Sequence, residues 1–429
     1  MPDLHAQLVI AGGGLAAQRC CETLRTACDE RTIAIVSNEA VAPYDRPPLS
    51  KQLDGGAPVF RSPDWYADND VELVLGRAAQ RLDVHARRLE LAGGTTVGYG
   101  HLLIATGSEP RVLPLFEGVE NAQALRTFDD ARRLRAAIAA GGPLAIVGAG
   151  LIGLEAAATA RKAGLDATVI EAGPAPVSGL LGEAVSAWLV RLHRDAGVRL
   201  RFGTTVTARR DGELVLDDGA RVPAAHVLVG VGVRPATDWL GPAGIPNAAG
   251  VHAAGDVTGG GHWEAAARAG AAVARELLGR PPAPPAAPAF WSDQHGIRLN
   301  CVGNPRGAES VAVDGDPETG RFTATYHGGG RATAVLLAGA SPADLRAARR
   351  RLDPIPLEAT GSTVGPVCCG ATYAARGTAR ARLSAQASLA RIVRSACSRT
   401  RSSPRTRSGA SAHSCLRRPN SRSTAARRR

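Results

Sequence analysis

A glycine-rich turn occurs twice in this 429-residue chain, as Gly12-x-Gly14-x-x-Ala17 and as Gly148-x-Gly150-x-x-Gly153, 136 residues apart. Each copy follows a short apolar run, Leu8-Val9-Ile10-Ala11 or Leu144-Ala145-Ile146-Val147, and precedes an alanine-rich stretch of helical character. A strand that turns through glycines into a helix lets backbone N–H groups approach a pyrophosphate at the positive end of that helix. One such turn is weak evidence, because glycine turns are common; two in matching contexts predict two dinucleotides. The fold class that follows is α/β with two Rossmann-like units.

The second copy is the more complete. It opens Leu151 to Ala163 as a helix, returns through Ala167-Thr168-Val169-Ile170, and reaches Glu171, 23 residues after Gly148. A carboxylate at that point accepts ribose hydroxyls and repels a 2′-phosphate, which favours NADH over NADPH. In the first copy Ala17 replaces the third glycine, a change that helix–strand packing allows. Its returning strand, Thr32 to Val36, ends at Ser37-Asn38-Glu39, which makes Glu39 the candidate ribose-binding acid.

Composition must be divided before it is used. The chain carries a formal charge of +12, but residues 357–429 contain 15 arginines, no lysine and one acid, Glu358. That leaves 36 basic against 38 acidic residues over 1–356, a net charge of −2. The basic pI therefore says nothing about nucleic-acid binding by the body, and the tail lacks the aromatic interleaving that base stacking needs. Its low and aperiodic apolar content predicts a low-complexity, disordered Arg/Ser-rich tail over 354–429.

Eight cysteines form no C-x-x-C or C-x-x-x-x-C pair, so neither an active dithiol nor a zinc knuckle is encoded, and no metal is expected. No signal-peptide pattern precedes Leu8 and no run of 18 apolar residues occurs, which makes the cytoplasm the expected compartment, with no membrane and no specific nucleic acid as partners. The chain has two lysines against 49 arginines. One of the two, Lys51, closes Pro43-Tyr44-Asp45-Arg46-Pro47-Pro48-Leu49-Ser50-Lys51, where prolines fix the backbone and present Arg46 and Lys51 as paired cations suited to a pyrophosphate or a reduced flavin ring.

That segment, with Ile104-Ala105-Thr106-Gly107, Val147 to Glu155, Gly230-Val231-Gly232-Val233-Arg234-Pro235, Ala254-Gly255-Asp256 and Phe290-Trp291-Ser292-Asp293-Gln294, resembles the FAD-dependent ferredoxin reductases of the putidaredoxin reductase type. These are pyridine nucleotide-disulfide oxidoreductase-like flavoproteins without the active disulfide. The likeness runs from about Leu8 to Leu352. It implies two Rossmann-like domains of the glutathione reductase type and a small α+β C-terminal interface domain. The FAD domain would comprise 1–112 and 226–285, the NAD domain 113–225 and the interface domain 286–353, with Pro281-Pro282-Ala283-Pro284-Pro285 as a stiff linker. Arg321 to Tyr326 and Ala332 to Ala338 read as strands, and Ser341 to Arg351 as a helix.

The resemblance also implies roles. Gly12, Gly14 and Leu15 would contact the FAD pyrophosphate, Arg46 and Lys51 would lie along the flavin, and Ala78 would meet the adenine by its main chain. Arg126 would help anchor FAD, Asp256 would accept a ribityl hydroxyl, and Trp263 would sit beside the isoalloxazine. Gly148, Gly150, Ile152, Gly153, Glu155, Glu171 and Gly232 would form the NADH site, with Lys51 and Glu155 as the catalytic candidates. The implied activity is an FAD-dependent NAD(P)H:ferredoxin oxidoreductase. It would pass electrons from NADH through FAD to a small [2Fe–2S] ferredoxin serving a cytochrome P450 or ring-hydroxylating dioxygenase, and would be a monomer or homodimer. The competing reading is a non-catalytic flavoprotein remnant that binds polyanions through its tail. It draws on the short run from Ile245 to Ala254, which predicts a strand pair missing from the FAD domain.

Overall fold

The computed structural model describes residues 4–52, 55–259 and 261–352, all within one compact unit. The basic tail anticipated for 354–429 lies outside the described residues.

Three large sheets and two smaller ones make up the architecture, together with seven helices among the described residues: α1 (Leu15–Thr26), α2 (Pro63–Asp68), α3 (Phe128–Ala140), α4 (Leu151–Lys162), α5 (Ser178–Asp195), α6 (Trp263–Leu277) and α7 (Pro342–Leu352). In the first sheet the parallel strands Val71–Val74, Ile33–Val36, Leu4–Ala11 and Thr96–Ile104 lie side by side. Leu8 and Ile10 pack on one face against α1 and α6, while Val9 and Ala11 pack on the other face. A parallel strand covered on both sides has no solvent face, which is why this run is continuously apolar rather than alternating.

On the edge away from Leu4–Ala11, strand Thr96–Ile104 serves two further partners. Its start pairs antiparallel with Arg88–Leu91, and its end pairs parallel with Val251–Ala253. That second pairing bears on the short run before Ala254. Among the described residues no strand lies between Pro235 and Val251, only a 3-10 turn at Asp238–Leu240. The parallel edge strand is nevertheless in register on Leu102–Ile104, and Ala254 and Val257 beyond it are buried. The short run thus still supplies a parallel strand at this edge of the sheet.

The second sheet is fully parallel, in the order Arg199–Phe202, Ala167–Glu171, Leu144–Val147, His226–Val229, Ala122–Gln123. One face carries α3, α4 and α5, and a three-stranded antiparallel sheet of Val206–Arg210, Glu213–Leu216 and Arg221–Pro223 packs on the other. Placing residues 226 onward in the FAD domain is corrected by this pairing, because His226–Val229 hydrogen-bonds to Leu144–Val147. The chain returns to the first sheet after Val229, through a crossover ribbon in which Val233–Pro235 pairs with Ser108–Pro110. A short buried parallel strand reads the same in either sheet, so sequence alone could not assign it.

The third sheet is antiparallel, in the order Ala289–Gln294, Ile297–Gly303, Arg331–Ala338, Arg321–Gly328, Ser310–Asp316. Alternate residues divide between its faces. Val302, Val335 and Leu337 meet α7, whereas Leu299, Phe322, Tyr326 and Leu336 join the core around α4 and α5. The Tyr326 hydroxyl donates to the Leu181 carbonyl at 2.9 Å and fastens this sheet to α5.

Candidate functional site

The two glycine turns are the same object built twice. Gly12 N–H donates to Val36 O at 2.7 Å while Ala11 O accepts from Ala105 N at 2.8 Å. Gly148 N–H donates to Ile170 O and Val147 O accepts from Gly230 N, both at 2.8 Å. Gly12 has φ +121° and Gly148 φ +107°. A Cβ at Gly12 would stand 2.1 Å from Ala105 O, and one at Gly148 2.4 Å from Gly230 O, so neither position admits a side chain. Gly153 packs its bare Cα on the Gly148 carbonyl, 2.3 Å from a would-be Cβ, the close helix–strand approach that a third glycine serves. In the first turn Ala17 fills that place and is fully buried.

Each turn delivers its chain into a bare helix end. Gly14 caps α1 and Gly150 caps α4, without a side-chain cap and without an acid in the first turn. Helix α3 is built in the opposite way: Thr127 and Asp130 form a reciprocal capping box that satisfies two N–H groups at its start. The first N–H groups at Leu15 and at Leu151 therefore face outward with the positive helix end behind them, an arrangement that suits phosphate oxygens. Ile152, 43% exposed, stands one residue into α4.

Glu171 folds back on the second turn, accepting from Ala149 N at 2.7 Å and from Gly173 N at 2.8 Å. Glu39 behaves differently. One of its oxygens accepts from Arg46 Nη2 at 2.8 Å, the other from the Tyr44 hydroxyl at 2.6 Å and Phe128 N at 3.2 Å. It anchors Arg46 instead of standing open to a ribose, and Ser37 is the residue beside the turn, 3.0 Å from where a Gly13 Cβ would be. Ala78, expected near an adenine, accepts from Ala92 N at 2.8 Å, and Gly232, at φ +104°, accepts from Arg111 N at 2.9 Å.

Around the first turn the charged candidates converge. Arg46 donates to the Arg126 carbonyl at 2.7 Å, and Arg126 Nη2 donates to Asp256 Oδ2 at 2.8 Å. Ser108, which the sequence did not single out, joins them by donating its hydroxyl to Asp256 at 3.2 Å and accepting from Arg126 Nε at 3.1 Å. Burial first, and then the neighbouring Arg46 charge, lower Arg126 from the ordinary guanidinium range against the pull of Asp256. Arg46 is held the other way: against its own burial, Tyr44 and Glu39 raise it, and each guanidinium has a carboxylate beside it; the uncapped N-terminus of α1 is the feature that suits an anionic group. The residues present thus fit FAD. Trp263, the first residue of α6, donates from its indole to Asp45 at 2.7 Å and meets Trp291 edge-on at 5.6 Å.

The catalytic candidates pair directly, with Lys51 Nζ 2.9 Å from Glu155 Oε2 and 2.9 Å from the Pro47 carbonyl. Glu155 lies on α4, Lys51 just after the 3-10 turn Pro47–Ser50, and both are largely shielded. Two hydroxyls that sequence reasoning left aside join the carboxylate, those of Ser50 and of Ser292, the latter at 2.6 Å on Oε1, where Asp293 N also donates at 3.4 Å. Both serines stood inside quoted motifs, but nothing in their spacing brings them to one carboxylate. Among the described residues no cluster of three metal-ligating side chains occurs, and Cys20, Cys21, Cys28 and Cys301 are free. Burial pushes the Cys20 and Cys301 thiols up to about 12, which leaves them inert.

Residues 6–270 match the family described as pyridine nucleotide-disulphide oxidoreductase, and residues 289–354 match the reductase C-terminal family. Among curated proteins the chain is 35% identical to the anthranilate 1,2-dioxygenase system ferredoxin–NAD(+) reductase component of Burkholderia cepacia, covering 83% of this chain and 97% of that protein. It is 31% identical to a putidaredoxin reductase of Pseudomonas putida, covering 78% and 88%. Among solved structures, the covalent putidaredoxin reductase–putidaredoxin complex superposes with a TM-score of 0.76 at 30% identity, covering 81% of this chain and 93% of that one.

Proposed function

We propose, since this chain belongs to the pyridine nucleotide-disulphide oxidoreductase family, that it is an NADH-dependent flavoprotein reductase. It would pass electrons through FAD to a small [2Fe–2S] ferredoxin serving a cytochrome P450 or a ring-hydroxylating dioxygenase. The observation that carries the reading is the duplicated turn, with one hydrogen-bond pattern in two sheets and a bare helix end behind each. When bound, FAD supplies two-electron acceptance from NADH and one-electron release to the acceptor.

The chain's own residues bind and align. Backbone N–H groups around Gly12, Gly14 and Leu15 hold a pyrophosphate, Arg46 and Arg126 neutralise it, and Asp256 takes a hydroxyl of the linking chain. At the second turn Gly148, Gly150 and Gly153 let the NADH pyrophosphate approach, Ile152 and Gly232 line it, and Glu171 disfavours a 2′-phosphate. Lys51 uses two of its three donors on Pro47 and Glu155 among the described residues, which leaves one N–H for the reacting edge. Alignment of the two rings is the main catalytic contribution such a site makes.

The three-part division supports this reading, with the first glycine turn on the first sheet, the second on the second sheet, and the antiparallel sheet closing over Glu155 through Ser292. We place the enzyme in a reducing compartment, the cytoplasm, as a monomer or homodimer; among the described residues no helix is long and apolar enough to cross a membrane.

The test is anaerobic. Purified protein should absorb at about 450 nm, as oxidised flavins do, should bleach on adding NADH, and should then reduce a [2Fe–2S] ferredoxin. A colourless protein that takes up no FAD ends the reading and leaves the remnant in its place.

A further inference from the structure

The hydrogen bonds of Glu155 continue well past Lys51. Ser292 Oγ lies 2.6 Å from Glu155 Oε1, Gln294 Nε2 lies 3.0 Å from Ser292 Oγ, and Gln294 Oε1 lies 2.8 Å from His193 Nε2. His193 Nδ1 in turn lies 3.1 Å from His295 Nε2. Ser292, Gln294 and His193 are at most 1% exposed. The chain thus runs from α5 through the third sheet to the carboxylate on α4.

Its direction follows from counting protons. A carboxylate paired with an ammonium only accepts, so Ser292 must direct its one hydroxyl proton at Glu155. The Ser292 oxygen is then left to accept, which requires the NH2 side of Gln294 to face it and turns the amide oxygen toward His193. That oxygen also only accepts, so Nε2 of His193 carries the ring proton. Nδ1 of a neutral imidazole is then an acceptor, and His295 donates to it. Burial pushes His193 down to about 4, so near neutral pH it is in the uncharged form that this order needs. All four bonds point at Glu155.

We infer that Ser292, Gln294 and His193 are positioning residues for the Lys51–Glu155 pair: a one-way hydrogen-bond chain that holds the carboxylate where Lys51 meets it. Resting on the function proposed above, this gives the antiparallel sheet a share in setting the reacting end of the NADH site. The other charged groups nearby are already committed. Asp293 is paired with Arg298 at 2.6 Å, Arg161 donates to the Ala196 and Leu165 carbonyls, and Glu171 accepts from Ala149 N.

Gln294→Glu tests the direction with almost no change of shape, because an acceptor-only side chain draws the Ser292 proton away from Glu155. Flavin reduction by NADH is followed by rapid mixing across pH, and the midpoint potential of the bound flavin is measured by equilibrium dye titration without NADH. Ser292→Ala and Gln294→Glu should each slow reduction by about tenfold, as expected for loss of one bond to a charged acceptor. They should displace the pH profile and the potential in the same direction, and the double variant should be no worse than either single one. His193→Leu, which removes the N–H toward Gln294, should displace the profile in that same direction, and His193→Gln, which supplies an N–H again, should bring it back to the wild-type profile. Gln294→Leu replaces Gln294→Glu if the buried charge prevents folding. Wild-type behaviour of both Gln294 variants, or additive effects in the double variant, overturns the chain. Failure of the wild-type protein itself to be reduced by NADH would sink the proposed function instead.

Discussion

At the residue scale, the two turns make opposite predictions from the same chemistry. A methyl at Gly12 or Gly148 meets a backbone carbonyl and sits at a φ that costs roughly 1–3 kcal/mol for a side chain. Gly12→Ala should therefore yield protein without flavin colour. Gly148→Ala should yield yellow protein that NADH reduces at least about tenfold more slowly, the rate equivalent of roughly 1.4 kcal/mol. Absorbance of the purified variants before and after NADH reads both, and a colourless Gly148→Ala with a yellow Gly12→Ala would exchange the two assignments. Lys51 was legible at this scale because lysine is so rare in the chain. Ser50, Ser108 and Ser292 were not, since a serine hydroxyl declares its partner only when another segment arrives.

At the element scale, the helices divide by how they begin: α1 and α4 start bare, whereas α3 is capped through Thr127 and Asp130. Helix α5 carries one source of pH dependence. His193 is buried at its end and held down to about 4 against an ordinary 6.5. Between those values the unfolded chain binds a proton that the folded chain refuses, so stability is present above pH 6.5 and is lost as the pH falls toward 4. The full effect is about 3 kcal/mol. Thermal midpoints should fall over that window, and His193→Gln should flatten the fall. Equal slopes in the two proteins would show that His193 does not bear it. Strand and helix identities were mostly readable in advance. Arg321–Gly328, Arg331–Ala338 and Pro342–Leu352 lie where alternation and capping residues put them.

At the scale of the whole molecule, Glu155 is where three sheets' worth of chain meet. Helix α4 provides the carboxylate, the proline-rich turn provides Ser50 and Lys51, and the antiparallel sheet provides Ser292. The hydrogen bonds described here for both turns and for this junction are made among residues 4–352. A chain ending at Pro356 should therefore keep its flavin and its rate of reduction by NADH. A salt-sensitive association of the full chain with polyanions that this truncation removes would assign that association to the 15 arginines of the tail and favour the remnant reading. A truncated protein that cannot be reduced would show that the tail takes part in the fold.

Local chemistry was enough to determine the two glycine turns and the apolar strands leading into them, because each depends on neighbours within a few residues. Only the tertiary structure decided that His226–Val229 completes the second sheet, that Glu39 is committed to Arg46, and that Val251–Ala253 joins the first sheet despite the short run before it. Those outcomes are set by contacts between residues tens to hundreds of positions apart. A buried strand or a carboxylate reads the same in sequence whichever partner it finally meets, and packing alone selects the partner.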